Sequence, residues 1–75
     1  MQTIEEILKG IRPEFDFKTS QDFIGDGMLD SYDIVTLVSD LDKAYGISIS
    51  GADIVPEHLQ NIASIQRLLH KYGKL

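Results

Sequence analysis

Apolar residues recur at helical spacing in three stretches of the chain, separated by two stretches without a steady period. In the first, Ile4, Ile7, Leu8 and Ile11 stand at i, i+3, i+4 and i+7, a single stripe down one side of a helix. Thr3 and Glu6 have the spacing of a capping box, in which each side chain accepts from the other's amide. Pro13 disfavours helical geometry at Arg12 and marks the expected end, and Gly10 weakens the last turn.

The second stretch has the clearest pattern. Ile34, Leu37, Val38, Leu41, Ala44 and Tyr45 share one face. Tyr32, Thr36, Ser39, Asp40 and Lys43 fall opposite, with Val35 and Asp42 near the border. Asp30 suits the N-cap and Asp33 the reciprocal position three residues on. Gly46 offers the left-handed stop, with Ile47 beyond it to complete the hydrophobic contact. In the third stretch Asn61 caps a helix whose buried stripe is Ile62, Ile65, Leu68, Leu69 and Tyr72, ended by Gly73. Arg67, His70 and Lys71 lie toward its C-terminus, where the helix dipole favours cations.

The two intervals differ from each other. Residues 13–30 carry two glycines, scattered Asp and no period, which predicts a loop. Yet Phe15, Phe17, Phe23, Ile24, Met28 and Leu29 lie within it, so it is expected to pack across the bundle as an ordered segment. Ile47 and Ile49 alternate like strand residues, but a lone strand has no partner, so residues 47–55 are read as loop with a turn at Ser50-Gly51. Pro56 fits the first position of a short helix to about Gln60. The expected architecture is all-α: a four-helix bundle of three main helices, a short third helix and a long first loop, in one domain over residues 1–75.

Composition narrows the function. A chain of 75 residues builds one small core and leaves little room for an enclosed active site, so it is not expected to be an enzyme. The absence of Cys excludes disulfides, thiolate metal sites and a thiol nucleophile in the protein itself. Apolar runs never exceed two residues, and the N-terminus lacks the basic start and apolar stretch of a signal peptide, so a soluble, cytoplasmic, monomeric protein is expected. The net charge of −5 is uneven: residues 1–30 hold seven acids against three bases, residues 31–45 three against one, and residues 46–75 two against three. Six Asp and no Lys or Arg lie between Asp22 and Asp42. That segment argues against a nucleic-acid partner and suits a basic protein surface.

Most candidate chemistries are poorly supplied. His58 and His70 are 12 residues apart on different expected helices, without metal-ligand spacing. A Ser-His-Asp hydrolase would lack its nucleophile elbow. Asp22, Asp26, Gly27 and Asp33 align with positions 1, 5, 6 and 12 of a calcium loop, but Ile24 at position 3 offers no oxygen and Asp33 replaces the bidentate Glu. A small helical interaction module, or a calcium-responsive one using Asp22–Asp33, is the alternative reading.

Ser31 remains. It opens the second helix after a glycine-containing loop, where helix amides and dipole favour an attached phosphate. Asp30 and Asp33 oppose a free phosphate, so a covalent phosphodiester with its arm in solvent fits better than anion binding. A serine that merely helps to cap the helix would occupy the same position.

From Phe23 to Leu69 the chain resembles the acyl carrier protein family. The matching stretch GDGMLDSYDIVTLVSDLDKAYGISI carries Asp30-Ser31 at the attachment dipeptide, Ile34, Leu37, Val38 and Leu41 in the buried pattern, and Tyr45-Gly46-Ile47 at the helix exit. Asn61 to Ile65 is similar to the start of that family's last helix. The resemblance implies that Ser31 carries 4′-phosphopantetheine, with Asp30 as the flanking motif residue, and that the arm derives from coenzyme A through a phosphopantetheinyl transferase. The reactive thiol then belongs to the cofactor, in keeping with a chain that has no Cys. Acyl or aminoacyl groups would be held as thioesters, loaded by a ligase or adenylation enzyme and delivered to a downstream synthase or transferase. Where the family commonly has Glu on the exposed side of this helix, the chain has Thr36 and Lys43. Docking is therefore expected near Ser31 through Tyr32 and Val35, with Asp33, Thr36, Ser39 and Asp42 around them. Asp-Gly-Met-Leu-Asp-Ser looks closer to discrete acyl carriers and D-alanyl carriers than to peptidyl carriers.

Overall fold

The computed structural model describes residues 2–75 and contains, among them, four α-helices and no strand: α1 (Ile4–Ile11), α2 (Ser31–Tyr45), α3 (Pro56–Leu59) and α4 (Ile62–Lys71). Three of the four starts are sealed by reciprocal capping boxes: Thr3 with Glu6, Asp30 with Asp33, and Asn61 with Ser64. The fourth begins with Pro56, whose fixed φ suits a first helical position. α1 stops at Ile11 before Pro13, and α2 stops at Gly46, which turns left-handed at φ 66° and donates to the Asp42 carbonyl.

The expected stripes converge. Ile4, Ile7 and Leu8 of α1, Leu37, Val38, Leu41 and Tyr45 of α2, Leu59 of α3, and Ile65, Leu68 and Leu69 of α4 are buried in one core. α1 packs against both α2 and α4, and α3 packs against α4. Ile34, Ala44, Ile62 and Tyr72 are half-buried at its margin, and Tyr72 forms the C-cap of α4 and is not its last helical residue. Ser64, polar and outside the expected stripe, is also buried, because its hydroxyl completes the α4 capping box and donates to the Asn61 carbonyl at 2.9 Å.

The first loop packs down as a unit. Phe17, Phe23 and Leu29 are in the core, and Phe15 and Met28 lie against it. It departs from a plain loop at a 3₁₀ turn, Phe17–Thr19, which starts where the Asp16 carboxylate accepts from the Lys18 amide. Residues 47–50 have no regular secondary structure, Ser50 being extended, and a second 3₁₀ turn follows at Gly51–Asp53. No helix among the described residues is long and apolar enough to cross a membrane.

Candidate functional site

Helix α2 begins with a division of labour. The Asp30 carboxylate accepts from the Asp33 amide at 2.9 Å, and the Asp33 carboxylate accepts from the Asp30 amide at 3.2 Å. These two residues satisfy the helix start between them. Ser31, enclosed by them in sequence, is exposed and is not needed for the cap. The hydroxyl therefore stands at the first helical position with no part in closing the turn.

Arg12, the C-cap residue of α1, reaches across to this point. Its Nε donates to Asp33 Oδ2 at 2.8 Å, and its Nη2 lies 3.4 Å from Asp30 Oδ2. Its Nη1 is 3.6 Å from Glu14. The bond to Asp33 is the main cause that holds the guanidinium above its ordinary pKa. Asp30 is held below the usual carboxylate value, first by the Asp33 amide that donates to it and next by the charge of Arg12.

Several of the residues expected to face a partner also have internal bonds. Asp33 is buried, only 6% exposed, and its carboxylate is engaged by both the helix cap and Arg12. Asp33 is thus a fastener between α1 and α2. Asp42 is half-buried, and its Oδ1 accepts from the Ile49 amide at 3.0 Å, pinning the segment after α2. Thr36 is half-buried and donates to the Tyr32 carbonyl one turn back. Tyr32 at 78% exposure, Val35 at 67% and exposed Ser39 do form an open face with Ser31. Ser31, Val35 and Ser39 follow one another at i, i+4 and i+8 along a single row.

Beside that row lies a cleft of about 390 Å³ between α2, the first loop and α3. Ile24, Ile34, Val35, Ile54, Val55, Pro56 and Leu59 line it, and Ser31 supplies its polar edge. Its far wall is held by a second polar cluster. Asp53 Oδ1 accepts from Lys71 Nζ at 2.7 Å, and Asp53 Oδ2 from the Tyr72 hydroxyl at 2.7 Å. The Tyr72 oxygen in turn accepts from the Ser50 amide at 2.8 Å. His58 Nδ1 lies 2.8 Å from the Asp53 carbonyl, so that nitrogen carries the proton. Donation from Lys71, followed by that from Tyr72, keeps the Asp53 carboxyl below its usual range.

The residues aligned with a calcium loop are taken up locally. Asp22 accepts from the Gly25 amide at 2.9 Å, Asp26 from the Ser20 hydroxyl at 2.5 Å, and Asp33 from Arg12. Among the described residues no three His, Asp or Glu side chains converge as metal ligands would.

Sequence reasoning missed Arg12 and the cleft wall from Ile54 to Leu59. Arg12 had only an indirect signal: α2 starts with two acids and has no base before Lys43, so any countercharge would come from another element. The cleft had none, because it depends on how α3 is set against α2. No protein-family model matches the chain, and no curated protein or solved structure does.

Proposed function

We propose that this protein is a carrier of the acyl carrier type, holding acyl or aminoacyl groups as thioesters on a 4′-phosphopantetheine arm esterified to Ser31. The observation that supports the reading most is that Asp30 and Asp33 perform the helix cap, while Ser31 between them is exposed at the edge of an apolar cleft. A serine kept only for capping would be bonded to the amide two or three residues on, and here Asp30 has that role.

The residues present fit the group. A phosphodiester on Ser31 would leave the protein at a helix N-terminus, where amides and dipole favour negative charge. An apolar cleft begins at the same residue, and the exposed Tyr32 and Val35 provide a dry contact for an enzyme that must approach. When bound, the arm supplies the thiol that this chain lacks. In the attachment reaction Ser31 Oγ attacks the pantetheine-bearing phosphorus of coenzyme A, the phosphoanhydride bond breaks, and 3′,5′-ADP leaves. The hydroxyl proton passes to a base of the phosphopantetheinyl transferase. The chain contributes an exposed nucleophile and a docking face. Activation, loading and onward transfer fall to partners: the transferase, a ligase or adenylation enzyme, and a downstream synthase or transferase.

The test is intact mass after incubation of the apo protein with coenzyme A and a broad-specificity transferase. Wild type should gain one phosphopantetheinyl mass and Ser31→Ala none. A wild type that gains nothing, or an alanine variant that gains it equally, overturns the reading.

A further inference from the structure

We propose that Arg12 is a positioning residue for the modification of Ser31, acting as the countercharge that holds the two flanking carboxylates in place. The inference rests on the carrier reading above and extends it to a residue on a different helix. Ser31 sits between Asp30 and Asp33, and Arg12 touches both, at 3.4 Å and 2.8 Å. Glu14 is the third acid on the same guanidinium, at 3.6 Å. No Lys or Arg occurs from Thr19 to Asp42, so α2 supplies no cation of its own near its start.

The Asp33 carboxylate makes the arrangement demanding. It is buried and carries out two tasks through one oxygen: Oδ2 accepts from the Asp30 amide and from Arg12 Nε. Without Arg12, the buried carboxylate loses its partner charge, and an unpaired buried anion is costly. It would relax by turning toward water, and the amide of Asp30, one residue before Ser31, would lose its acceptor. Arg12 therefore fixes the backbone that presents the Ser31 hydroxyl. It also offsets the repulsion met by an anionic coenzyme A phosphate brought up to two carboxylates.

Steady-state transfer from coenzyme A, catalysed by a broad-specificity transferase, measures this directly on the apo protein. Arg12→Gln should lower kcat about fivefold, the effect of losing one partly exposed charge pair, with KM for the carrier within about twofold of wild type because the docking residues are untouched. Arg12→Lys, which keeps the charge, should recover most of that loss. The double variant Arg12→Gln/Asp33→Asn removes the pair together, remains informative if Arg12→Gln alone does not fold, and should exceed the single variant or lie close to wild type. Melting curves on each protein separate folding from rate. Wild-type kcat in Arg12→Gln, or equal losses in the Gln and Lys variants that follow their melting temperatures, would overturn the inference while leaving the carrier reading intact. A wild type that takes no arm at all overturns the carrier reading and this inference with it.

Discussion

The rings of Phe17 and Phe23 meet edge to face, with centroids 5.0 Å apart and planes at 85°. Both are in the core although both belong to the loop between α1 and α2. Phe23 also organises backbone: its amide donates to the Gln60 carbonyl at 2.6 Å, and its own carbonyl accepts from Met28 at 2.8 Å and Leu29 at 3.1 Å. One residue thus ties the approach to Ser31 to the junction of α3 and α4. Phe23→Ala should cost about 3–5 kcal/mol, a large share of the roughly 4–11 kcal/mol available to a chain of this length. Urea denaturation checks it, and a loss below about 1 kcal/mol would remove the anchoring role.

Asn61 has two attachments. Its Oδ1 accepts from the Ser64 amide at 2.7 Å, and its Nδ2 donates to the Gln21 carbonyl at 2.9 Å. Asn61→Asp keeps the first and loses the second, whereas Asn61→Ala loses both. Alanine should destabilise by about 1–2 kcal/mol and aspartate by less. Equal effects of the two in urea titrations would mean that the bond to the first loop contributes nothing.

Gly46 is a position where backbone conformation alone dictates the residue. At φ 66° it lies in the left-handed region, and a Cβ there would meet nothing within 4 Å. Gly46→Ala should therefore cost about 1 kcal/mol through strain without a clash. Gly46→Asn should cost less, since asparagine tolerates that region better. An alanine variant as stable as wild type would contradict the left-handed stop.

Stability should fall at both extremes of pH. Folding holds Asp53 below its ordinary 3.8, chiefly through donation from Lys71 and then Tyr72, so its contribution is present above about pH 4 and is lost as pH falls through the depressed folded value. Asp30, held down by the Asp33 amide, and Glu6, held down by the Thr3 amide, act in the same direction. Lys71 is held above its ordinary 10.5 by Asp53, so its contribution is complete below that value and is lost as pH rises through the raised one. Thermal midpoints should be highest between about pH 5 and pH 10, and Asp53→Asn should flatten the acid side. A midpoint that rises from pH 5 to pH 3 would refute the assignment.

Tyr32 and Val35 are large, exposed and spent on no internal contact that the core requires. Replacing both with Ala should leave stability within about 0.5 kcal/mol. On the carrier reading it should also lower kcat/KM for arm transfer about tenfold, as for loss of an apolar anchor at an interface. Unchanged transfer by the double variant would place docking elsewhere.

Local rules made most of the fold readable from the chain. Periodicity marked the faces of α1, α2 and α4, and capping chemistry marked their starts at Thr3, Asp30 and Asn61, because both depend on residues three or four apart. Gly46 and Gly73 marked stops for the same reason, with φ at 66° and 77°. The exposed place of Ser31 was legible from its position in the first turn of α2 and not from the period, which sets it three residues before Ile34 and seven before Val38 at the edge of the apolar stripe. Spacing could not distribute the acids. Asp33 and Asp42 lie in a stretch without bases and read as surface charge, yet Arg12, 21 positions before Asp33, draws one inward and the Ile49 amide engages the other. Nor could it show the cleft beside Ser31, whose walls come from residues 24 to 59, or the cluster in which Lys71 and Tyr72 hold Asp53. Long-range partners of this kind are chosen when helices pack, because burial obliges each charge and each polar group to find a complement wherever the fold brings one near.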